Sequence, residues 1–286
     1  MDKIIDVTGG QGGKAFLLIG EEKTALVDCG MAYCAPTLIS NIKQVLGRRT
    51  LDYILISHSH YDHIGAIPYL REEWPNLKVL GAEYAKGILN RENALKDIRN
   101  LSVLAAKFYG AGDIKEYGDD MLKVDNNIFD GDSLDLGGVI IKVIEAQGHT
   151  KCSLSFLVNN ETLFASESTG YKSKSGKVYP AFITSCSQAI DSINRSREIN
   201  PRFIISPHFG LVNQSDTLNY WEECILAVKE TKDFILRLSE KGYEEEQILI
   251  EYEEAFRDEE SRLEQPSNAF RLNAQSMIKT VLNEGK

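Results

Sequence analysis

The segment Ser57-His58-Ser59-His60-Tyr61-Asp62-His63 puts three imidazoles and a carboxylate within six residues. Imidazole nitrogen and carboxylate oxygen are the donors that suit borderline divalent cations such as Zn²⁺ or Fe²⁺. In an extended stretch, side chains two apart point the same way, so His58 and His60 can converge on one ion. If a helix begins near Asp62, its first residues face the same strand end, and Asp62 and His63 can serve a second ion beside the first. The chain has only two other histidines. His149 stands in Gln147-Gly148-His149-Thr150 and His208 in Ser206-Pro207-His208-Phe209-Gly210, each following an apolar run that reads as a strand. All five histidines thus fall in loops at the ends of expected strands, where a site would be built. Cys29 and Cys152 flank these motifs but read as small buried apolar residues rather than thiolate ligands. No GxSxG elbow or P-loop argues for another mechanism.

The elements that position these residues follow from periodicity and punctuation. Glycine-bounded β-type runs at 3–8, 14–19 and 24–28 suggest an antiparallel meander. A helix is expected after Pro36, then a buried strand at 53–56, helices at 65–72 and 82–108, and a strand at 78–80. Strands are expected at 122–124, 128–129, 133–136, 139–144, 154–158 and 162–164. Helices follow at 186–198 and 216–240, with a strand at 203–205 and two further helices over 244–284 broken at Pro266. Two successive β-then-α halves suggest two sheets with helices outside.

Composition bounds the function. The chain has 286 residues, of which 43% are hydrophobic and 26% charged, enough apolar mass for a sizeable core. No apolar run approaches the roughly 18 to 20 residues of a membrane span. The first residues lack the basic-then-apolar order of a signal peptide, and five scattered cysteines without a CxxC pair fit a reducing compartment. A cytoplasmic location is expected. Residues 244–264 carry ten acids against two bases, so this one segment holds −8 of the net charge of −10. No block of Lys or Arg offers a footprint for nucleic-acid phosphates, and neither nucleic acid nor a membrane is an expected partner.

Residues 58–63 resemble the HxHxDH signature of the metallo-β-lactamase superfamily. The resemblance covers roughly residues 3 to 215, with further stations at 25–30, at Gly148-His149-Thr150, at 163–167 and at Ser206-Pro207-His208. It implies an α/β fold, a four-layer αββα sandwich, here with a C-terminal helical extension: residues 1–242 as the catalytic domain and 243–286 as acidic helices packed on it or on a partner subunit. It also implies that His58, His60 and His149 hold a first metal and that Asp62, His63 and His208 hold a second, with Glu167 bridging. The family usually has Gly-Asp where this chain has Ser166-Glu167, so Glu167 reaches one methylene further. Asp28, at the end of the 24–28 strand, is placed to accept the outer N–H of a metal-bound imidazole.

The expected chemistry is hydrolysis by a hydroxide bridging two divalent transition-metal ions, Zn²⁺ first and Fe²⁺ or Mn²⁺ as alternatives, with Asp62 also accepting a proton. A small ester, thioester or lactone is the expected substrate, ahead of a phosphodiester. Two other readings stand beside this one: a diiron redox enzyme of the same superfamily and a metal-retaining sensor with little turnover. The lysines and tyrosines of 171–179 are candidates for receiving an anionic substrate. In the tail, Phe270 or Arg271 is expected to close a pocket wall, and a homodimer is allowed. Every expected ligand precedes position 209, so the tail is not expected to matter for metal binding.

Overall fold

The computed structural model describes residues 3–213, 217 and 219–284, which form two compact units. The first runs to Ile144 and includes Phe156–Asn159; the second comprises Glu145–Ser155 and the chain from Asn160 onward.

In chain order the first unit holds β1 (Ile4–Asp6), β2 (Phe16–Ile19), β3 (Thr24–Val27), α1 (Ala35–Leu46), β4 (Tyr53–Leu55), α2 (Tyr61–Ile64), α3 (Ile67–Glu73), β5 (Lys78–Gly81), α4 (Glu83–Leu89), α5 (Glu92–Phe108), β6 (Asn126–Asn127), β7 (Ser133–Asp135) and most of β8 (Ile140–Glu145). Strands β1 to β6 pair in sequence order, antiparallel from β1 to β3 and parallel from β3 to β6. Parallel neighbours need a crossover, and α1, then α2 with α3, then α4 with α5 supply it. Every residue of β3 is buried, as expected of a strand covered on both faces. Helix α1 starts with Pro36 in its first turn, where no backbone hydrogen bond is lost, and buries Leu38, Ile42 and Leu46 at four-residue spacing.

The chain continues with β9 (Leu154–Val158), β10 (Thr162–Phe164), β11 (Tyr171–Lys172), β12 (Val178–Tyr179), α6 (Cys186–Ile199), β13 (Phe203–Ser206), β14 (Gly210–Leu211), α7 (Tyr220–Glu240), α8 (Glu245–Phe256), α9 (Glu259–Glu264) and α10 (Ser267–Glu284). A second six-stranded sheet has the order β14-β13-β10-β9-β8-β7, and β11 and β12 make a separate hairpin. Strands β10 and β13 are parallel, with α6 in their crossover. The Ser185 hydroxyl caps α6 by accepting the Gln188 N–H at 3.2 Å, and Asn200 ends it in the left-handed region. Helix α10 packs on α8, α7 and α6.

Several sequence expectations are corrected. Residues 122–124 and 128–129 are not strands; β6 is only Asn126–Asn127. The Asp125 carboxylate takes the Val79 N–H at 2.7 Å and the Arg71 guanidinium at 2.9 Å, so a side chain replaces part of the ladder there. The tail forms three helices rather than two. Asp258 starts α9 by accepting the Ser261 N–H at 3.0 Å, a break that comes before the one at Pro266. The predicted helix start at 216 lies outside the described residues; α7 begins at Tyr220. The apolar faces of α8 (Ile248, Leu249, Tyr252) and α10 (Phe270, Ala274, Met277, Ile278, Val281) are buried, while Leu263 and Leu272 are exposed. No described helix is long and apolar enough to cross a membrane.

Candidate metal centre

In the first unit the donors sit on the loop that leaves β4. His60 keeps extended backbone, and α2 starts at Tyr61, so the chain turns from strand to helix between His60 and Asp62. The His58 ring lies 4.6 Å from that of His60 and 4.2 Å from that of His63, centroid to centroid. His58, Asp62 and His63 are buried and His60 is half-buried. Asp28 leaves β3 with φ of 54°, a left-handed conformation that a non-glycine residue adopts at a cost. It accepts the Ser57 N–H at 2.7 Å and the Ser57 hydroxyl at 2.8 Å, and its Oδ2 lies 2.8 Å from His63 Nδ1. A carboxylate only accepts, so Nδ1 of His63 carries the proton and Nε2 is turned to the other side, where Asp62 Oδ2 lies 3.7 Å away. Gly13 must be glycine here, because a Cβ would come within 2.4 Å of the Asp62 carbonyl oxygen.

In the second unit the donors come from three separate strand ends. His149 follows β8; its backbone N–H donates to Ser168 Oγ at 2.9 Å and its Nδ1 donates to the Ala181 carbonyl at 2.6 Å. Gly148 before it has φ of 130° and lies against α6, where a Cβ would meet the Ala189 backbone at 2.6 Å. Glu167 follows β10 and opens a short 3-10 turn over Glu167–Thr169, capped by Ser166. His208 follows β13 with φ of 62°. The two Glu167 oxygens divide between two imidazoles: Oε2 lies 3.1 Å from His149 Nε2, and Oε1 lies 2.9 Å from His208 Nε2. His208 Nδ1 in turn meets Glu264 Oε1, the last residue of α9, at 3.1 Å. Burial alone would lower the His208 pKa, but Glu167 and Glu264 outweigh it and raise it to about 10. Tyr171 packs its ring 4.9 Å from that of His208, centroid to centroid.

His63, His149 and His208 share one arrangement. Each turns Nδ1 outward to an oxygen acceptor (Asp28, the Ala181 carbonyl and Glu264) and Nε2 inward to a carboxylate. That is how histidines are held when Nε2 binds a metal, and a carboxylate as buried as Glu167 calls for nearby positive charge. The donor set therefore fits divalent metals. Seven described residues, His58, His60, Asp62, His63, His149, Glu167 and His208, fall into groups of donors that could hold metal ions.

Other residues singled out in the sequence have different partners. Lys172 pairs with Glu223 and Lys177 with Asp258, so these two ammonium groups are engaged within the protein, and the Lys174 backbone N–H donates to Glu260 at 2.9 Å. Arg271 pairs with Glu246 and Glu253, and Phe270 stacks on Tyr252 at 6.0 Å; both tie α10 to α8. Burial pushes the Cys29 thiol well up, against a thiolate role. Sequence reasoning missed Ser57, adjacent to the motif, and Glu264, which nothing in its own surroundings distinguishes from the other acids of the tail.

A family model of the metallo-beta-lactamase superfamily matches residues 8–208. A metallo-beta-lactamase fold-containing protein of Sulfurisphaera tokodaii is 28% identical over 204 residues, 69% of this chain and 73% of that protein. A hydroxyacylglutathione hydrolase of Prochlorococcus marinus is 30% identical over 109 residues, 38% of this chain and only 31% of that enzyme. The crystal structure of a metallo-beta-lactamase family protein from Thermus thermophilus superposes with a TM-score of 0.67, covering 100% of this chain and 95% of that one at 17% identity.

Proposed function

The chain belongs to the metallo-β-lactamase superfamily, and on that premise we propose that it is a metal-dependent hydrolase of a small ester, thioester or lactone. In this reading the family pattern assigns His58, His60 and His149 to one divalent ion and Asp62, His63 and His208 to a second, with Glu167 bridging. The observation that carries it is the shared orientation of His63, His149 and His208, each Nδ1 bound to an oxygen and each Nε2 turned toward a carboxylate. Glu167, with one oxygen toward His149 and one toward His208, is suited to serve both ions. The partial relative named for hydrolysing hydroxyacylglutathione favours an acylated thiol within the substrate class.

Divalent ions held by these donors supply Lewis acidity and lower the pKa of water toward about 7. The protein's own groups do the rest. Asp28 and the Ala181 carbonyl fix the rings of His63 and His149, so those donors need no reorganisation when substrate arrives. Asp62, buried beside His63, is the acid–base group: its carboxylate accepts the proton given up by the attacking water and returns it to the leaving group. No Ser or Cys nucleophile is required.

The test is elemental analysis of protein reconstituted with Zn²⁺, Mn²⁺ or Fe²⁺, followed by assay of the Zn²⁺ form on ester, thioester, lactone and phosphodiester panels. About two ions per chain and turnover with Zn²⁺, which has no redox chemistry, are expected. Less than about half an ion per chain refutes the centre. Activity confined to iron with an electron donor replaces hydrolysis with redox chemistry, and full metal content without turnover leaves a sensor.

A further inference from the structure

The C-terminal acidic region reads in sequence as an appendage, with every expected ligand before position 209. The structure puts one of its carboxylates on a donor of the proposed centre. Glu264 Oε1 lies 3.1 Å from His208 Nδ1, and the Glu264 side chain is only 18% exposed. The partnership spans 56 residues of chain, so it exists only because α9 is brought back onto the loop after β13.

A helix as short as α9 (Glu259–Glu264) does not hold itself in place, so its anchors matter. At its start, Asp258 binds Lys177 Nζ at 2.8 Å and the Tyr179 hydroxyl at 2.6 Å, both on the β11–β12 hairpin side. Glu260 accepts the Lys174 N–H at 2.9 Å and the Ser175 hydroxyl at 2.7 Å. Just past its end, the Arg257 guanidinium donates to the Gln265 carbonyl at 3.2 Å and to Glu253 at 2.9 Å. The same hairpin carries Tyr171, whose ring packs on His208. His208 is thus held against Tyr171 and against the Glu264 carboxylate. Its backbone sits in the turn between β13 and β14 at φ 62°, a conformation a non-glycine residue adopts at a cost, so the ring contacts help to set its direction.

We propose that Glu264 is a positioning residue for the metal centre: it accepts the Nδ1–H of His208, fixes the tautomer and turns Nε2 toward the ion shared with Glu167. This rests on the assignment of His208 as a metal donor in the preceding reading. The consequence is that the C-terminal helices belong to the metal centre, contrary to the expectation that the tail is indifferent to metal binding.

Three substitutions in the full-length chain separate reach from charge. Glu264→Ala removes the acceptor. Glu264→Asp keeps the charge but withdraws it by a methylene, and Glu264→Gln keeps the reach and an acceptor oxygen but removes the charge. Zn²⁺ affinity is read by chelator competition, and the geometry of the centre by the visible absorption of the Co²⁺-loaded protein. Glu264→Ala and Glu264→Asp are expected to weaken one Zn²⁺ equivalent about 10- to 100-fold and to alter the Co²⁺ spectrum, with Glu264→Gln close to the unsubstituted protein. Unchanged affinity in Glu264→Ala and Glu264→Asp overturns the inference alone, and so does the reverse order, with Gln severe and Asp mild. If Glu264→Ala does not fold, the Asp and Gln pair decides. An unsubstituted protein that takes up no Zn²⁺ overturns the metal centre and this inference together.

Discussion

The donor loop of the first unit and the donors of the second are assembled in opposite ways. Residues 57–63 leave one buried strand and enter one helical turn, so neighbours in space are neighbours in sequence. In the second unit His149, Glu167 and His208 come from three strand ends, and the Glu167–His208 contact closes 41 residues of chain. Contacts that close long loops form only after their entropy of closure has been offset by the surrounding sheet. The first cluster is therefore encoded by spacing, the second by topology. Each nevertheless ends in the same device, an outer carboxylate on a histidine Nδ1: Asp28 for His63 and Glu264 for His208.

The largest effect is expected from the loop itself. Asp62→Asn preserves shape but removes the carboxylate proposed as the acid–base group, and kcat should fall by roughly 10²- to 10⁴-fold. Steady-state kinetics on Zn²⁺-loaded protein with measured metal content check this. A variant with full metal and full kcat would remove Asp62 from the chemistry and leave the loop a set of ligands only.

A smaller effect sharpens the parallel between the two outer carboxylates. Asp28 is bound more fully than Glu264: it receives the Ser57 N–H, the Ser57 hydroxyl and His63 Nδ1. An asparagine offers one acceptor oxygen and an NH₂ that cannot accept, so Asp28→Asn must abandon at least one of these donors. Zn²⁺ affinity should drop about 10- to 100-fold, measured by chelator competition. If Asp28→Asn binds Zn²⁺ like the unsubstituted protein, the Ser57 contacts alone hold the loop and the parallel with Glu264 fails.

The same contrast explains what could be read without a structure. The 57–63 loop announces itself because its donors are adjacent, and β3, β4 and α1 follow from buried apolar runs, Pro36 and four-residue spacing. Strand-end placement made His149 and His208 candidates, but nothing in the sequence pairs them with a particular carboxylate. Glu264 was illegible for a physical reason. It is one acid among ten in 244–264, and its direction depends on the Asp258 cap that starts a new helix rather than extending α8. Reading 244–264 as one continuous helix leaves out the Asp258 break, and it does not give the α8 partners of Phe270 and Arg271, which are Tyr252, Glu246 and Glu253. The strands expected at 122–124 and 128–129 are absent, and beside β6 the Asp125 carboxylate takes the Val79 N–H that a longer ladder would pair.

The smallest expected effect lies in the anchor of α9 and separates it from the metal donors. Burial opposes ionisation of Asp258, but the hydrogen bonds from Lys177, the Ser261 N–H and the Tyr179 hydroxyl outweigh it and lower its pKa from 3.8 to about 2. The folded pKa is below the unfolded one, so the ionised carboxylate stabilises the fold above about pH 4, and that contribution is lost as the pH falls from there toward about 2. The Asp258 side chain is 39% exposed and Lys177 37%, so solvent screening keeps the pair below about 1 kcal/mol. Glu260 lies close by and is itself lowered by its Ser175, Ser173 and Lys174 hydrogen bonds against the opposing effect of burial, so it adds to the same acid transition. Thermal unfolding of metal-free protein should therefore show Asp258→Asn less stable than the unsubstituted chain near neutral pH, with the two midpoints converging as the pH is lowered below about 4. A gap that stays constant across this range would mean that Asp258 acts as a neutral helix cap and that its ion pair with Lys177 contributes nothing to holding α9 against the hairpin.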